Sequence, residues 1–174
     1  NLCSKLFKSG SSNVWFSNLR LSPMGAALAN SAAASALDLD DGHREAMGHP
    51  GAAIIPAALA AAREVGADGE QLLAAIILGY ETAVRVAAAR DHESLDTLAT
   101  GRWASYGVLA AAGRLNQLSS QNMAEAMAIA GVSSPGLSAA GYSSVMGNSV
   151  KEGIPWATFT ALGSLEMAKQ GYTG

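Results

Sequence analysis

Apolar positions in this chain recur on a helical period. Leu72, Ile76, Tyr80 and Val84 follow one another at spacing four, and Leu73 and Ile77 form a second stripe beside them. Residues four apart share one helix face, so the pattern predicts a helix over about Gly69–Ala89. Two stripes predict a central helix, buried on more than one side. Asp68 stands ready as its N-cap, and Glu81 and Arg85 are placed to pair on the remaining face.

The same signals divide the rest of the chain. Ser22 followed by Pro23 opens a helix to about Leu37. Its interior, GAALANSAAASA, is made of small side chains that let helices approach closely. A further helix is expected from near Pro56 to Gly66. ASYGVLAAAGRLNQL reads as helix, and so does SQNMAEAMAIAG, capped by Ser119 and stopped at Gly131. Pro155 opens a last helix that Gly171 closes. Residues 1–21 read as an arm in which NVWFSNLRL is a short strand or irregular. The longest non-helical stretch is VSSPGLSAAGYSSVMGNSVKEG. The expected architecture is all-α: an arm over 1–21 and one helical domain over 22–174.

Composition adds a constraint. Charged residues are 14% of 174, and hydrophobic residues 49%. An ordinary soluble domain carries roughly 25% charge. So few charges point to faces covered by a second domain or a partner subunit. The net charge of -3, 6% aromatics and no basic run leave nothing for a nucleic-acid surface. The most apolar run, QLLAAIILGYE, is bounded by Glu70 and Glu81 and is short for a bilayer, which needs roughly 20 residues; no signal-peptide pattern is present. The single cysteine, Cys3, excludes an internal disulfide and fits a reducing, cytoplasmic setting. The chain begins at Asn1 without methionine, which suggests a processed chain or a fragment.

Candidate chemistry gathers in the polar breaks. DLDDGHREAMGHPG places Asp38, Asp40, Asp41, His43, Glu45 and His49 within twelve positions. Asp38 and Asp41 are three apart and share a face if helical, with Asp40 pointing elsewhere. Paired carboxylates raise one another's proton affinity; a wet acidic loop is the plainer reading. Pro50 holds His49 out of the α region, and a histidine on a pinned backbone suits proton transfer, or else satisfies local carbonyls. His43 lacks such a brace and is expected to be exposed. Asp38, Asp41, His43 and His49 match no metal-site spacing. Lys151 stands alone between Lys8 and Lys169, a candidate for a substrate carboxylate or an enolate-like charge. Arg102 is a similar candidate, unless Asp96 or Glu93 pairs with it. No GxGxxG, P-loop, GxSxG or CxxC occurs.

ALANSAAASALDLDDGHREAMGHPGAAIIPAALAAARE and LLAAIILGYETAVRVA resemble the MmgE/PrpD family, whose activities include 2-methylcitrate dehydration, cis-aconitate decarboxylation and iminodisuccinate epimerisation. The likeness continues through TGRWASYGVLAAAGRLNQL and KEGIPWATFTALGSLEMAKQGYTG, from about Ser22 onward. It implies a helical domain paired with a smaller α+β domain, in homodimers, with this chain forming most of the helical part. It also implies proton removal beside a carboxylate of a di- or tricarboxylate, without metal or organic cofactor. Carried over, the family's catalytic residues fall on Asp38, His49 and Lys151. Asp41, Arg102, Tyr106 and Tyr142 are the candidate substrate contacts. Two histidines usual in the family's dehydratases and decarboxylases are replaced, by Leu98 and Ile154; this removes general acids that could help a hydroxyl or carboxylate leave, weakens a dehydratase reading and keeps an epimerase, or a catalytically silent assembly domain, as alternatives.

Overall fold

The structure is a computed structural model that describes residues 2–135 and 150–174. Among them are seven α-helices: α1 Cys3–Leu6, α2 Pro23–Ser35, α3 Pro50–Val65, α4 Gly69–Ala88, α5 Ala104–Leu115, α6 Ser120–Ser133 and α7 Ile154–Lys169. The expected all-α class holds. The sheet is one antiparallel pair, β1 Ser12–Asn13 with β2 Arg20–Leu21, registering Ser12 opposite Leu21. This hairpin and α1 sit on α2 through a small second core of Cys3, Val14, Leu21 and Ala26.

The middle of the bundle is α5, not α4. Ten of the twelve residues of α5 are buried, whereas α4 buries only Ala75, Gly79, Ala83 and Ala87 of its twenty. The stripe of Leu73 and Ile77 lies 62% and 68% exposed. A periodic pattern finds a face but not what covers it; here the buried face of α4 is the small-residue one. Leu72, Ile76, Tyr80 and Val84 pack at its edge, partly buried. A Cβ on Gly107 of α5 would lie 2.6 Å from both the Gly79 carbonyl oxygen and the Ala83 Cβ. Only a glycine lets the two backbones come this near. By length and composition alone α4 is apolar enough to cross a bilayer, although the apolar run between its glutamates is short.

N-cap side chains fix the starts of α4 and α6. Asp68 accepts from the Gln71 N–H at 2.8 Å while the Gln71 side chain returns a bond to the Asp68 N–H, a complete capping box. Glu81 and Arg85 pair as expected. Ser119 caps α6, but Gly131 lies inside that helix, which continues to Ser133 before Pro135. α3 also starts earlier than expected, at Pro50, so Pro56 falls in its interior. An interior proline removes a helical hydrogen bond and costs about 3 kcal/mol in isolation. Burial of Ala52, Ala53 and Ile54, and a cap described below, hold the extra turn in place.

Candidate active site

The acidic loop between α2 and α3 is folded rather than merely wet. After α2 ends, Asp38 takes a left-handed conformation, φ 57°, which breaks the helical spacing. Asp38 and Asp41 therefore do not share a face. The chain then closes a small hairpin, in which the His43 N–H donates to the Gly48 carbonyl at 2.9 Å. His43 is half-buried, and its Nδ1 accepts from the Ala46 N–H at 3.3 Å. It braces the loop instead of standing free as expected. At the next corner a Cβ on Gly48 would lie 2.4 Å from the Thr100 Oγ1.

His49 occupies the N-cap of α3, and its backbone N–H donates to the Thr100 hydroxyl at 3.0 Å. The cap itself comes from Asp41. Both its carboxylate oxygens accept from the Gly51 N–H, at 3.0 and 3.1 Å, and one also accepts from the Tyr80 hydroxyl at 2.9 Å. A carboxylate there satisfies an orphan N–H and faces the positive end of the helix dipole. The Asp41 carboxylate, expected to contact substrate, is thus committed to a helix end.

Around the His49 ring three carboxylates and one ammonium converge. Nε2 lies 3.6 Å from Asp38 Oδ1 and 3.5 Å from Glu152 Oε1. Nδ1 lies 2.9 Å from the Asp41 carbonyl oxygen and 3.4 Å from Asp40 Oδ2. The Lys151 Nζ is 3.0 Å from Asp38 Oδ1 and 2.9 Å from Glu152 Oε1. Glu152 Oε2 accepts from both the N–H and the hydroxyl of Thr100, at 3.1 and 2.8 Å. A carbonyl can only accept, so Nδ1 is the donor, and Nε2 is left as the nitrogen that gains and loses a proton.

The charges are matched in position but not all in solvation. The hydrogen bond to Glu152, aided by the charge of Asp40, raises the His49 pKa from its usual value against the pull of burial. Burial acts most strongly on Glu152, yet hydrogen bonds from His49, Lys151 and Thr100 hold its carboxyl far below the usual range. Burial would lower Lys151, and its bonds to Glu152 and Asp38 raise it instead. Asp40 is different: its side chain is 6% exposed, and neither oxygen has a hydrogen-bond partner among the described residues. Desolvation pushes its pKa up. Asp38, Asp40 and His49 each offer one atom within 4.8 Å of the others, close enough for a metal ion. The Lys151 ammonium already supplies positive charge beside Asp38, and a cation would have to displace it.

A family model for the MmgE/PrpD N-terminal domain matches residues 1–174. The chain belongs to the MmgE/PrpD family. It is 33% identical over 131 residues to the cis-aconitate decarboxylase of Aspergillus terreus, covering 71% of this chain and 27% of that protein. It is 32% identical over 170 residues to the cis-aconitate decarboxylase-like protein oryM of Aspergillus oryzae, covering 90% of this chain and 34% of that protein. The chain therefore spans about a third or less of these relatives, within a family of dehydratase and decarboxylase type.

Of the residues assigned by likeness to this MmgE/PrpD chain, the structure brings Asp38, His49 and Lys151 together. Among the described residues, no hydrogen bond or ion pair joins Arg102 or Tyr106 to them. Arg102 is exposed and makes no ion pair with Glu93 or Asp96; burial, and secondarily the charge of Arg102, lower the pKa of Arg90. The Tyr106 hydroxyl lies against Gly131 of α6. Tyr142 lies outside the described residues. Ile154, where the family has a histidine, is fully buried in the core, and Leu98 is half-buried. Sequence reasoning passed over Asp40, Thr100 and Glu152. Extrapolating helical spacing past Asp38 turned Asp40 away from the face of Asp38 and Asp41. For Glu152 the one local signal was an acid wedged between Lys151 and Gly153.

Proposed function

We propose that this domain carries the proton-transfer half of an active site for a small di- or tricarboxylate, in a lyase of the dehydratase or decarboxylase kind. The observation that carries the reading is His49. Its Nδ1 is fixed as a donor on the Asp41 carbonyl, and its Nε2 faces carboxylates that favour the protonated ring.

A protonated Nε2 suits decarboxylation. When a carbon–carbon bond breaks and carbon dioxide departs, the electron pair stays on the remaining carbon, delocalised into an adjacent double bond or carboxylate. His49 then gives its Nε2 proton to that carbon and is reprotonated from solvent. For dehydration or epimerisation the neutral ring would first take the proton beside the carboxylate. Lys151 would meet the substrate carboxylate, exchanging one of its own carboxylate partners for it, and stabilise the enolate-like charge. Asp38 would orient the ring from the exposed side of the cluster. The family relatives named for cis-aconitate decarboxylation favour decarboxylation over the alternatives.

A second domain and a second copy of the chain form part of this reading. Leu2, Leu6, Phe16 and Trp156 are largely exposed, and Leu73 and Ile77 with them; large apolar residues exposed in groups mark covered surfaces.

The test is to incubate the complete protein with cis-aconitate, and separately with 2-methylcitrate, in deuterated water and follow products by NMR. Carbon dioxide release or deuterium incorporation next to a carboxylate is expected. His49→Ala should slow it by about a hundredfold or more, and Lys151→Met should act on substrate binding and on the transition state together. Absence of turnover and of exchange with both acids would favour a silent assembly domain.

A further inference from the structure

Glu152 is built into the site more firmly than a surface glutamate next to a lysine would be. Its backbone is left-handed, φ 51° and ψ 18°, an unusual state for a residue with a side chain. Gly153 follows at φ 70°, and a Cβ on Gly101 would lie 2.5 Å from the Glu152 carbonyl oxygen. The turn before α7 is thus pressed against the Thr100–Arg102 turn. Strained backbone of this kind persists only where the surroundings fix it.

The side chain then divides its work. One oxygen takes both donors of Thr100, and the other faces His49 and Lys151. Thr100 is fully buried, and its hydroxyl also accepts from the His49 backbone N–H. One threonine therefore ties the backbone of the histidine to the carboxylate that faces its ring.

We propose that Glu152 is a positioning residue, anchored on Thr100, that holds the His49 ring and the Lys151 ammonium as a preset pair on one carboxylate oxygen. This rests on the proton-transfer reading above. Asp38 touches the same two groups but is the exposed member, so it can yield to a substrate carboxylate; Glu152, 9% exposed, cannot leave without stranding Thr100. Held this way, the two cations need no rearrangement when a substrate arrives, which is what preorganisation contributes. The other charged groups facing the ring are Asp38 and Asp40, and neither is bound to Thr100.

The test uses the complete protein and two readouts. The first is the NMR titration of the His49 ring, which needs no substrate. Glu152→Gln keeps the shape and removes the charge; the His49 midpoint should move to lower pH. Thr100→Val should move it in the same direction by releasing the carboxylate, and Thr100→Ser, which keeps the hydroxyl, should restore it. The second readout is turnover of cis-aconitate. Glu152→Gln should lower kcat by about a hundredfold with KM changed by no more than about threefold. A purely structural glutamate would lower the unfolding midpoint and leave the His49 titration, and kcat per folded molecule, unchanged; that result overturns the proposal. If Glu152→Gln does not fold, an unmoved His49 in Thr100→Val overturns it equally. If the unaltered protein does not turn over cis-aconitate while Glu152→Gln still shifts His49, the fault lies with the choice of reaction and the positioning role stands.

Discussion

Two regions of this domain reach high precision by opposite means. Along the α4–α5 seam, the partners are Gly79, Ala83, Gly107 and Ala111, with Ile54 of α3 laid across them. The atoms nearest the two glycines are side-chain carbons and each other's backbone carbonyl oxygens. The helices meet because side chains are absent, and any added atom has nowhere to go. Around His49 the opposite holds. Five ionisable side chains from two distant stretches of chain meet, and their placement depends on which donor faces which acceptor. The seam is a matter of volume and the cluster a matter of charge and hydrogen bonding. The seam is sensitive to added size, and the cluster is sensitive to loss of its buried partners.

The comparison can be broken most easily at the seam. Gly107→Val should destabilise the domain by about 3 kcal/mol, because its Cβ would meet the Gly79 carbonyl oxygen and the Ala83 Cβ at 2.6 Å. Urea unfolding measures this, and a loss under about 1 kcal/mol would mean that the seam relaxes freely. Asp41→Asn comes next, at about 1 kcal/mol from the weakened cap on α3, with the same measurement. Because its carboxylate holds Gly51 and Tyr80, substrate affinity should suffer less than stability.

The cluster predicts a pH signature that the seam does not share. Glu152 has a depressed folded-state pKa, so its contribution is present above the ordinary value of 4.5 and is lost as pH falls below it toward the depressed value. His49 has a raised folded-state pKa, so its contribution is complete below 6.5 and is lost as pH rises through the raised value. Their joint contribution is therefore greatest between 4.5 and 6.5. Urea midpoints measured across pH should show this maximum, and Glu152→Gln should flatten both arms. Gly107→Val should lower the whole curve without changing its shape. The smallest effect is expected at Leu73→Ser and Ile77→Ser, within about 0.5 kcal/mol for the isolated domain. A larger loss would show that this stripe is covered in solution.

Much of this was legible from the chain. Helix type and approximate position followed from period and caps, because both are local: the Asp68–Gln71 box and the Ser119 cap need only neighbours in sequence. The start of α3 was not legible. Pro56 looked like a first-turn proline, and only the long-range bond from Asp41 and the burial of Ala52 to Ile54 explain why the helix begins a turn and a half earlier. The rank of α4 was misread for a related reason. Leucine and isoleucine stripes mark an apolar face, but the domain used the glycine and alanine face for its closest contact.

The sequence by itself determined the helical class, the family and the candidacy of Asp38, His49 and Lys151. These depend on residue types and spacing along one chain. Tertiary structure alone decided that Asp40 turns inward, that Asp41 caps α3, and that Glu152 and Thr100 complete the cluster. Asp38 leaves the helical region, so spacing ceases to predict direction beyond it. Glu152 stands more than a hundred residues from His49 along the chain, and the fold brings its carboxylate within 3.5 Å of the ring. A charge meets its partner through space, and only packing sets that distance.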